Sequence, residues 1–218
     1  MTGRNRKTKK QKGLKYLLVS FTFIVLIVIT VVILLSTRFS ASAVCAHGDI
    51  DISDEIDGKH VPLFLQSDER WGNECYGDGE ISVTGCGPTC LSMVYCYLTG
   101  DSSMNPAEMA AWAERKGFYV DGVGTSWSLM DLGAQKLGLD PYSMPLTENN
   151  LLEALSSKHV IICSVAPGDF TTEGHFIVLA GMNKDGTIKV NDPNSKKRSG
   201  KEWDAERIIP QIKQYWIY

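Results

Sequence analysis

No Asp or Glu occurs in residues 1–15, which instead carry Arg4, Arg6, Lys7, Lys9, Lys10, Lys12 and Lys15. The net charge of −3 therefore conceals a clearly acidic remainder, a poor match for a nucleic-acid partner. No Cys-x-x-Cys pair is present, and the Cys86/Cys90 spacing has no matching second pair, so no zinc site is expected. Asp49, Asp51 and Ser53 sit at calcium-loop spacings, but Asp54 stands where a Gly is needed and His60 where a Glu is needed. No metal and no cofactor are expected. The chain also lacks a Gly-x-x-x-x-Gly-Lys-Ser/Thr loop, which argues against P-loop nucleotide binding, and it shows no internal repeat or low-complexity block.

Charge, Gly and Pro are all missing from residues 16–36 (YLLVSFTFIVLIVITVVILLS). At about 1.5 Å of rise per residue, roughly 20 such residues cross the hydrocarbon layer of a bilayer. Basic residues crowd the N-terminal side and only Arg38 stands just beyond the other end, so the N-terminus is expected in the cytoplasm and the rest outside the cell membrane. Ala41-Ser42-Ala43 resembles a signal cleavage site, and cutting near Ala43 would release a secreted protein. The apolar run is longer than a usual signal core of about 7–15 residues, which favours a retained single-pass anchor.

The expected organisation is a basic cytoplasmic tail at 1–15, a transmembrane anchor at 16–36, an acidic linker at 37–60 and a globular domain at 61–218. Within the domain, apolar residues Leu91, Val94, Tyr95 and Leu98 predict a helix after Pro88 that ends at Gly100. Further helices are predicted after Asn105-Pro106, from Ser126 or Ser128 to Gly138, and over 148–157 behind Thr147. Strands are predicted at 159–165, 175–182 and 187–192, with one more at the C-terminus. Helices first and an antiparallel sheet second indicate an α+β fold.

Outside the membrane disulfides can form. If one of the six cysteines (Cys45, Cys75, Cys86, Cys90, Cys96, Cys163) stays a free nucleophile, at most two bridges remain, and their pairing is open. Cys86 is the candidate nucleophile. It lies in Thr84-Gly85-Cys86-Gly87-Pro88-Thr89, directly before the predicted helix. A thiol attacks as thiolate, and a helix N-terminus beside an imidazole favours that form. Gly85 and Gly87 would let backbone and substrate approach closely, and free N–H groups at the helix start would stabilise an oxyanion. Cys90, Cys96 and Cys163 lie inside apolar runs and fit structural roles better.

Among the four histidines, only His175 combines a preceding glycine (Gly174) with a following apolar strand, after a stretch at 167–174 that reads as flexible. The hairpin through Asn183-Lys184-Asp185-Gly186 then supplies its partner. A two-residue loop at 184–185 sets Asp192 opposite Ile177, and one at 185–186 sets it opposite Leu179. Both place Asp192 on the face of His175, whereas a three-residue loop would break that parity. An Asp there holds the imidazole tautomer, although Asp192-Pro193-Asn194 also reads as an ordinary turn.

Five segments occur together in order: Val61-Pro62 with Gln66-Ser67-Asp68 and Trp71, then Gly85-Cys86-Gly87-Pro88-Thr89, Gly124-Thr125-Ser126-Trp127, Gly174-His175-Phe176-Ile177-Val178, and Asn191-Asp192-Pro193. This set resembles the family-thirty-nine cysteine peptidases that remove double-glycine leaders from bacteriocins, in particular their broader relatives without a transporter. The resemblance implies a papain-like fold, a Cys86–His175–Asp192 triad and a peptide or protein substrate. It also implies a Gln as oxyanion donor. Position 80 is Glu80, so Gln66 is the candidate. Trp127 and Gly174 are candidates for lining the substrate groove, although an aromatic at a helix start is more often core. The alternatives are cell-wall peptide hydrolysis or transpeptidation, and a non-catalytic peptide-binding module on the same fold. Oligomeric state is not legible.

Overall fold

The computed structural model describes residues 21, 23–31 and 50–218. Residues 23–31 are helical with exposed side chains. Among the described residues no helix is long and apolar enough to cross a membrane. The tail 1–15, most of the expected anchor 16–36, Ala41–Ala43 and the linker up to 49 lie outside the described residues. The chain divides into Met1–Val44 and Cys45–Tyr218, and the second unit holds the folded domain.

Helices α1 (Ile81–Thr84) and α2 (Cys86–Thr99) are separated by Gly85 alone. Nearly every side chain of α2 from Gly87 to Val94 is buried, as expected of a helix with apolar residues on most of its faces. Gly100 ends it in the left-handed region (φ +70°), donating its N–H to the Cys96 carbonyl. Helix α3 (Pro106–Arg115) begins where Asn105 accepts from the Ala107 and Glu108 N–H groups, with Pro106 at the first position. The single helix predicted from Ser126 to Gly138 is broken instead. A 3-10 turn at Trp127–Leu129 precedes α4 (Leu132–Lys136), because the Asp131 carboxylate accepts the Leu132 N–H and starts a fresh helix. Helix α5 (Glu148–Ser156) follows its Thr147 cap.

Two small hairpins, β1 (Cys75–Tyr76) with β2 (Gly79–Glu80) and β3 (Tyr119–Val120) with β4 (Gly124–Thr125), are too short to show alternation and were not foreseen. The main sheet contains β5 (Ile161–Val165), β6 (His175–Met182), β7 (Ile188–Asn191), β8 (Glu202–Trp203) and β9 (Ile212–Ile217). Its order is β8-β7-β6-β5-β9, antiparallel throughout. Alternation along the strands divides the core. Ile162, Phe176, Val178 and Trp216 pack with Leu91 of α2 and Met109 of α3. Ile161, Cys163, Ile177 and Leu179 pack with Leu151 and Leu155 of α5 on the other face. The sheet is thus covered on both sides, and the expected helix-on-sheet arrangement gains a third layer.

Residues 50–60 correct the expected linker boundary. Ile52 is buried in the core, Ile50 and Ile56 pack against it, and Asn105 Nδ2 donates to the Ile50 carbonyl. The Ile residues between the acids bury apolar area that an acidic composition conceals.

The β6–β7 turn is also a correction. Asn183 N–H donates to Thr187 O and Gly186 N–H to Asn183 O, so the loop is the three residues Lys184-Asp185-Gly186. Pairings Met182↔Ile188 and Gly181↔Lys189 give way to Leu179↔Val190 and Val178↔Asn191, leaving Ala180 as the extra residue of a bulge. The bulge undoes the parity change of the longer loop. Next to the site the register is the one that sets Asp192 beyond Asn191, opposite Ile177.

Gly186 sits at φ +89° with open space around it. Gly186→Ala is expected to cost about 1 kcal/mol through backbone strain alone, read by thermal or denaturant unfolding, with His175 chemistry unchanged.

Candidate active site

Cys86 is the first residue of α2. A Cβ at position 85 would lie 2.5 Å from the Ile81 carbonyl oxygen, and one at 87 would lie 2.6 Å from Thr125 Cγ2. Both glycines are buried. Their bareness serves packing of α1 and β4 against the start of α2, in place of the substrate-facing role expected for them. Thr125 is held in turn by a 3.0 Å hydrogen bond between its hydroxyl and that of buried Tyr76. The half-buried Cys86 thiol is thereby fixed at the floor of a cleft of about 750 Å³ that His175 also lines.

His175 opens β6, pairs with Val165 and is buried. The preceding segment is not the loose stretch its composition suggests. Asp169 accepts from Arg207 and Gln211, its N–H donates to Gln211, and Phe170 is buried against Trp203. His175 is consequently presented from an anchored loop. Its Nε2 lies 2.8 Å from Asp192 Oδ1, which leaves Nδ1 for Cys86. Burial opposes charge on this imidazole, but the hydrogen bonds it donates to Asp192 and Cys86 and their negative charge outweigh it and raise its pKa to about 9.

Asp192 has no solvent exposure. Oδ1 accepts from His175 and from the Asn194 N–H at 2.8 Å, while Oδ2 accepts from Arg198 Nε. The Asp-Pro-Asn turn and the histidine partner are therefore the same structure. Burial raises the Asp192 carboxyl, yet the His175 and Arg198 bonds more than offset it and hold it below the usual range. Arg198 escaped the sequence reading. It belongs to the short helix α6 (Lys196–Ser199), which Ser195 caps by accepting the Arg198 N–H. Ser195 ahead of Lys196-Lys197-Arg198 was the available signal, but a three-residue basic run reads as surface until the cap folds it back.

Gln66 is buried between the two halves of the site. Its N–H donates to the Pro193 carbonyl at 2.7 Å and its Nε2 to the Ser82 carbonyl at 2.8 Å. Oε1 is buried with no hydrogen-bond partner, and Gln66 is not among the residues lining the cleft. Gly174 and Trp127 do line it. Trp127 is 44 % exposed and meets Trp216 edge-on at 6.1 Å. Cys90, Cys96 and Cys163 are buried free thiols. Burial pushes the Cys90 and Cys163 thiols far up and Cys96 to about 12. No group of three or more metal-ligating side chains occurs among the described residues.

Residues 59–218 match the family model described as the Peptidase_C39 like family. A crystal structure from Bacillus anthracis, described as that of a candidate C39-like peptidase, is 16 % identical with a TM-score of 0.48, over 75 % of this chain and 96 % of that one. No curated protein matches.

Two outcomes follow from this geometry. Because the His175 pKa is raised from 6.5 to about 9, its share of stability is complete below about pH 6.5 and lost as pH climbs through 9. Cys86→Ala removes one source of that rise, so NMR titration should show a lower His175 pKa and melting should show a weaker alkaline loss of stability. Arg198→Met should cost about 1.5–3 kcal/mol by leaving Oδ2 of a buried carboxylate without its charged donor. It should also raise the His175 pKa, since Asp192 no longer shares its charge with a guanidinium.

Proposed function

Because this chain belongs to the Peptidase_C39 like family, we propose that it is a cysteine peptidase hydrolysing peptide bonds with Cys86, His175 and Asp192. One observation carries the reading: Cys86 opens a helix on the same cleft as His175, whose Nε2 is held 2.8 Å from a buried carboxylate. Cys86 Sγ attacks the scissile carbonyl, and the resulting oxyanion takes hydrogen bonds from the Cys86 N–H and from Gln66. Gln66, buried behind the cleft surface, keeps one Nε2 hydrogen beyond the one given to Ser82, and a small shift of its side chain on substrate binding brings that hydrogen to the oxyanion. His175, cationic at neutral pH, protonates the departing amine as the C–N bond breaks. It then takes a proton from the water that opens the thioester, releasing the acid and restoring the Cys86 thiolate beside the His175 imidazolium. Asp192 holds the ring and balances its charge throughout, and Arg198 keeps Asp192 in place.

The same proposal sets the domain outside the cell membrane. It rests on the uncharged run at 16–36 and the basic residues before it, which suit a retained anchor with a cytoplasmic N-terminus. The substrate is then a peptide or protein in the extracytoplasmic space.

The test uses the full chain in detergent, with iodoacetamide labelling read by mass spectrometry and hydrolysis of a peptide library. Cys86→Ala should lose the fast phase of labelling, leaving only the slower alkylation of the exposed Cys75, and should lose hydrolysis by about 10³-fold or more, while Cys90→Ala keeps both. The opposite pattern would remove Cys86 as nucleophile. Hydrolysis should fall on the alkaline side with an apparent pKa near 9, as His175 loses the proton it gives to the amine.

A further inference from the structure

The cleft has two walls of different chemistry. One comes from the sheet and its loops, with Glu173, Gly174, His175 and Lys213. The other comes from α1, the β3–β4 hairpin and the 3-10 turn after it, and it carries Val83, Val120, Val123 and Trp127. These four are among the most exposed large apolar side chains of the domain: Val83 is 74 % exposed and Val123 79 %. Single exposed valines need no explanation, but four on one wall of the cleft that holds Cys86 do. The hairpin tip is built to hold its pair there. Val123 N–H donates to the Val120 carbonyl at 3.0 Å, and Gly122 and Gly124 take left-handed φ values of +69° and +97°. Val83 lies on α1, three residues before Cys86. The carboxylate on this wall, Asp78, accepts a hydrogen bond from the Tyr119 hydroxyl.

Resting on the peptidase reading, we infer that Val83, Val120, Val123 and Trp127 form the specificity surface, and that the preferred substrates are peptides with a bulky aliphatic or aromatic side chain beside the scissile bond. Such a side chain gains from leaving water against this wall, whereas an acidic, basic or absent one gains little. Asp78 is a charged group on this wall and Glu173 and Lys213 stand on the other, so Lys and Asp peptides decide whether apolar burial outweighs charge pairing. One missing or mismatched apolar group in a pocket changes kcat/KM by roughly 10–200-fold, which sets the size of the expected discrimination.

The experiment compares quenched fluorescent peptides that differ only at the residues flanking the cleaved bond, with Leu or Phe against Gly, Asp and Lys, on the full chain in detergent. The Leu and Phe peptides should be cleaved with kcat/KM at least about tenfold higher than the Gly peptide. Val83→Asn and Val123→Asn change exposed side chains, so folding is not at stake. Each should lower kcat/KM for Leu and Phe peptides by about tenfold, lower it less for the Gly peptide, and leave the rate of Cys86 labelling by iodoacetamide near the parent value. Cys86-dependent cleavage without apolar preference, or with preference untouched in both variants, overturns this inference and spares the peptidase reading. Absence of Cys86-dependent cleavage of any peptide overturns both.

Discussion

A carboxylate without solvent is the most demanding group in this domain. Leaving an ion such as Asp192 buried and unpaired would cost several kcal/mol. The chain meets that demand from three segments. His175 comes from the neighbouring strand, Arg198 from the helix that begins two residues after Asn194, and the Asn194 N–H from the turn itself. Each donor is held independently: β6 pairs with β5, α6 is capped by Ser195, and Trp203 Nε1 donates to the Arg198 carbonyl. The result is an imidazole whose tautomer and orientation are set before any substrate arrives. Its charged form is favoured although burial alone would disfavour it.

That arrangement depends on counting residues along a hairpin. A three-residue loop on its own would rotate Asp192 to the opposite face of the sheet from His175, because side chains alternate with period two. Ala180 supplies one further residue on β6, and two odd steps make an even one. Loop and bulge therefore act as a pair. Changing the length of either alone would place the carboxylate on the wrong side, the face that carries Phe176 and Val178. This couples a surface turn some way from the cleft to the geometry at its floor.

The legible parts were those with local physical causes. Gly100, Asn105-Pro106 and Thr147 mark helix ends because caps and left-handed glycines act within a few residues, and β6 appears at its expected bounds because its apolar run is long. Cys86, His175 and Asp192 stood out because residue type, helix start and strand parity pointed the same way. The hairpin arithmetic reached the right register while misjudging the loop, since a bulge has no signature in an apolar run such as Val178-Leu179-Ala180-Gly181. What remained hidden depended on distant contacts. The burial of Ile52 among acids, the packing role of Gly87 against Thr125, the anchoring of Asp169 by Arg207 and the return of Arg198 onto Asp192 all join residues far apart in sequence or folded back by a short cap.

Gly87 and Thr125 show why the two walls of the cleft belong to one design. The side-chain-free position at the start of α2 lets β4 approach closely, and Thr125 is fastened there by Tyr76. Tyr76 meets Tyr119 edge-on at 5.0 Å, so the hairpin bearing Val120 and Val123 is braced by the same contacts that seat Cys86. Val120 and Val123 are therefore positioned relative to Cys86 through packed side chains instead of a loose loop. On the opposite wall, His175 is fixed by β5, Asp192 and Arg198.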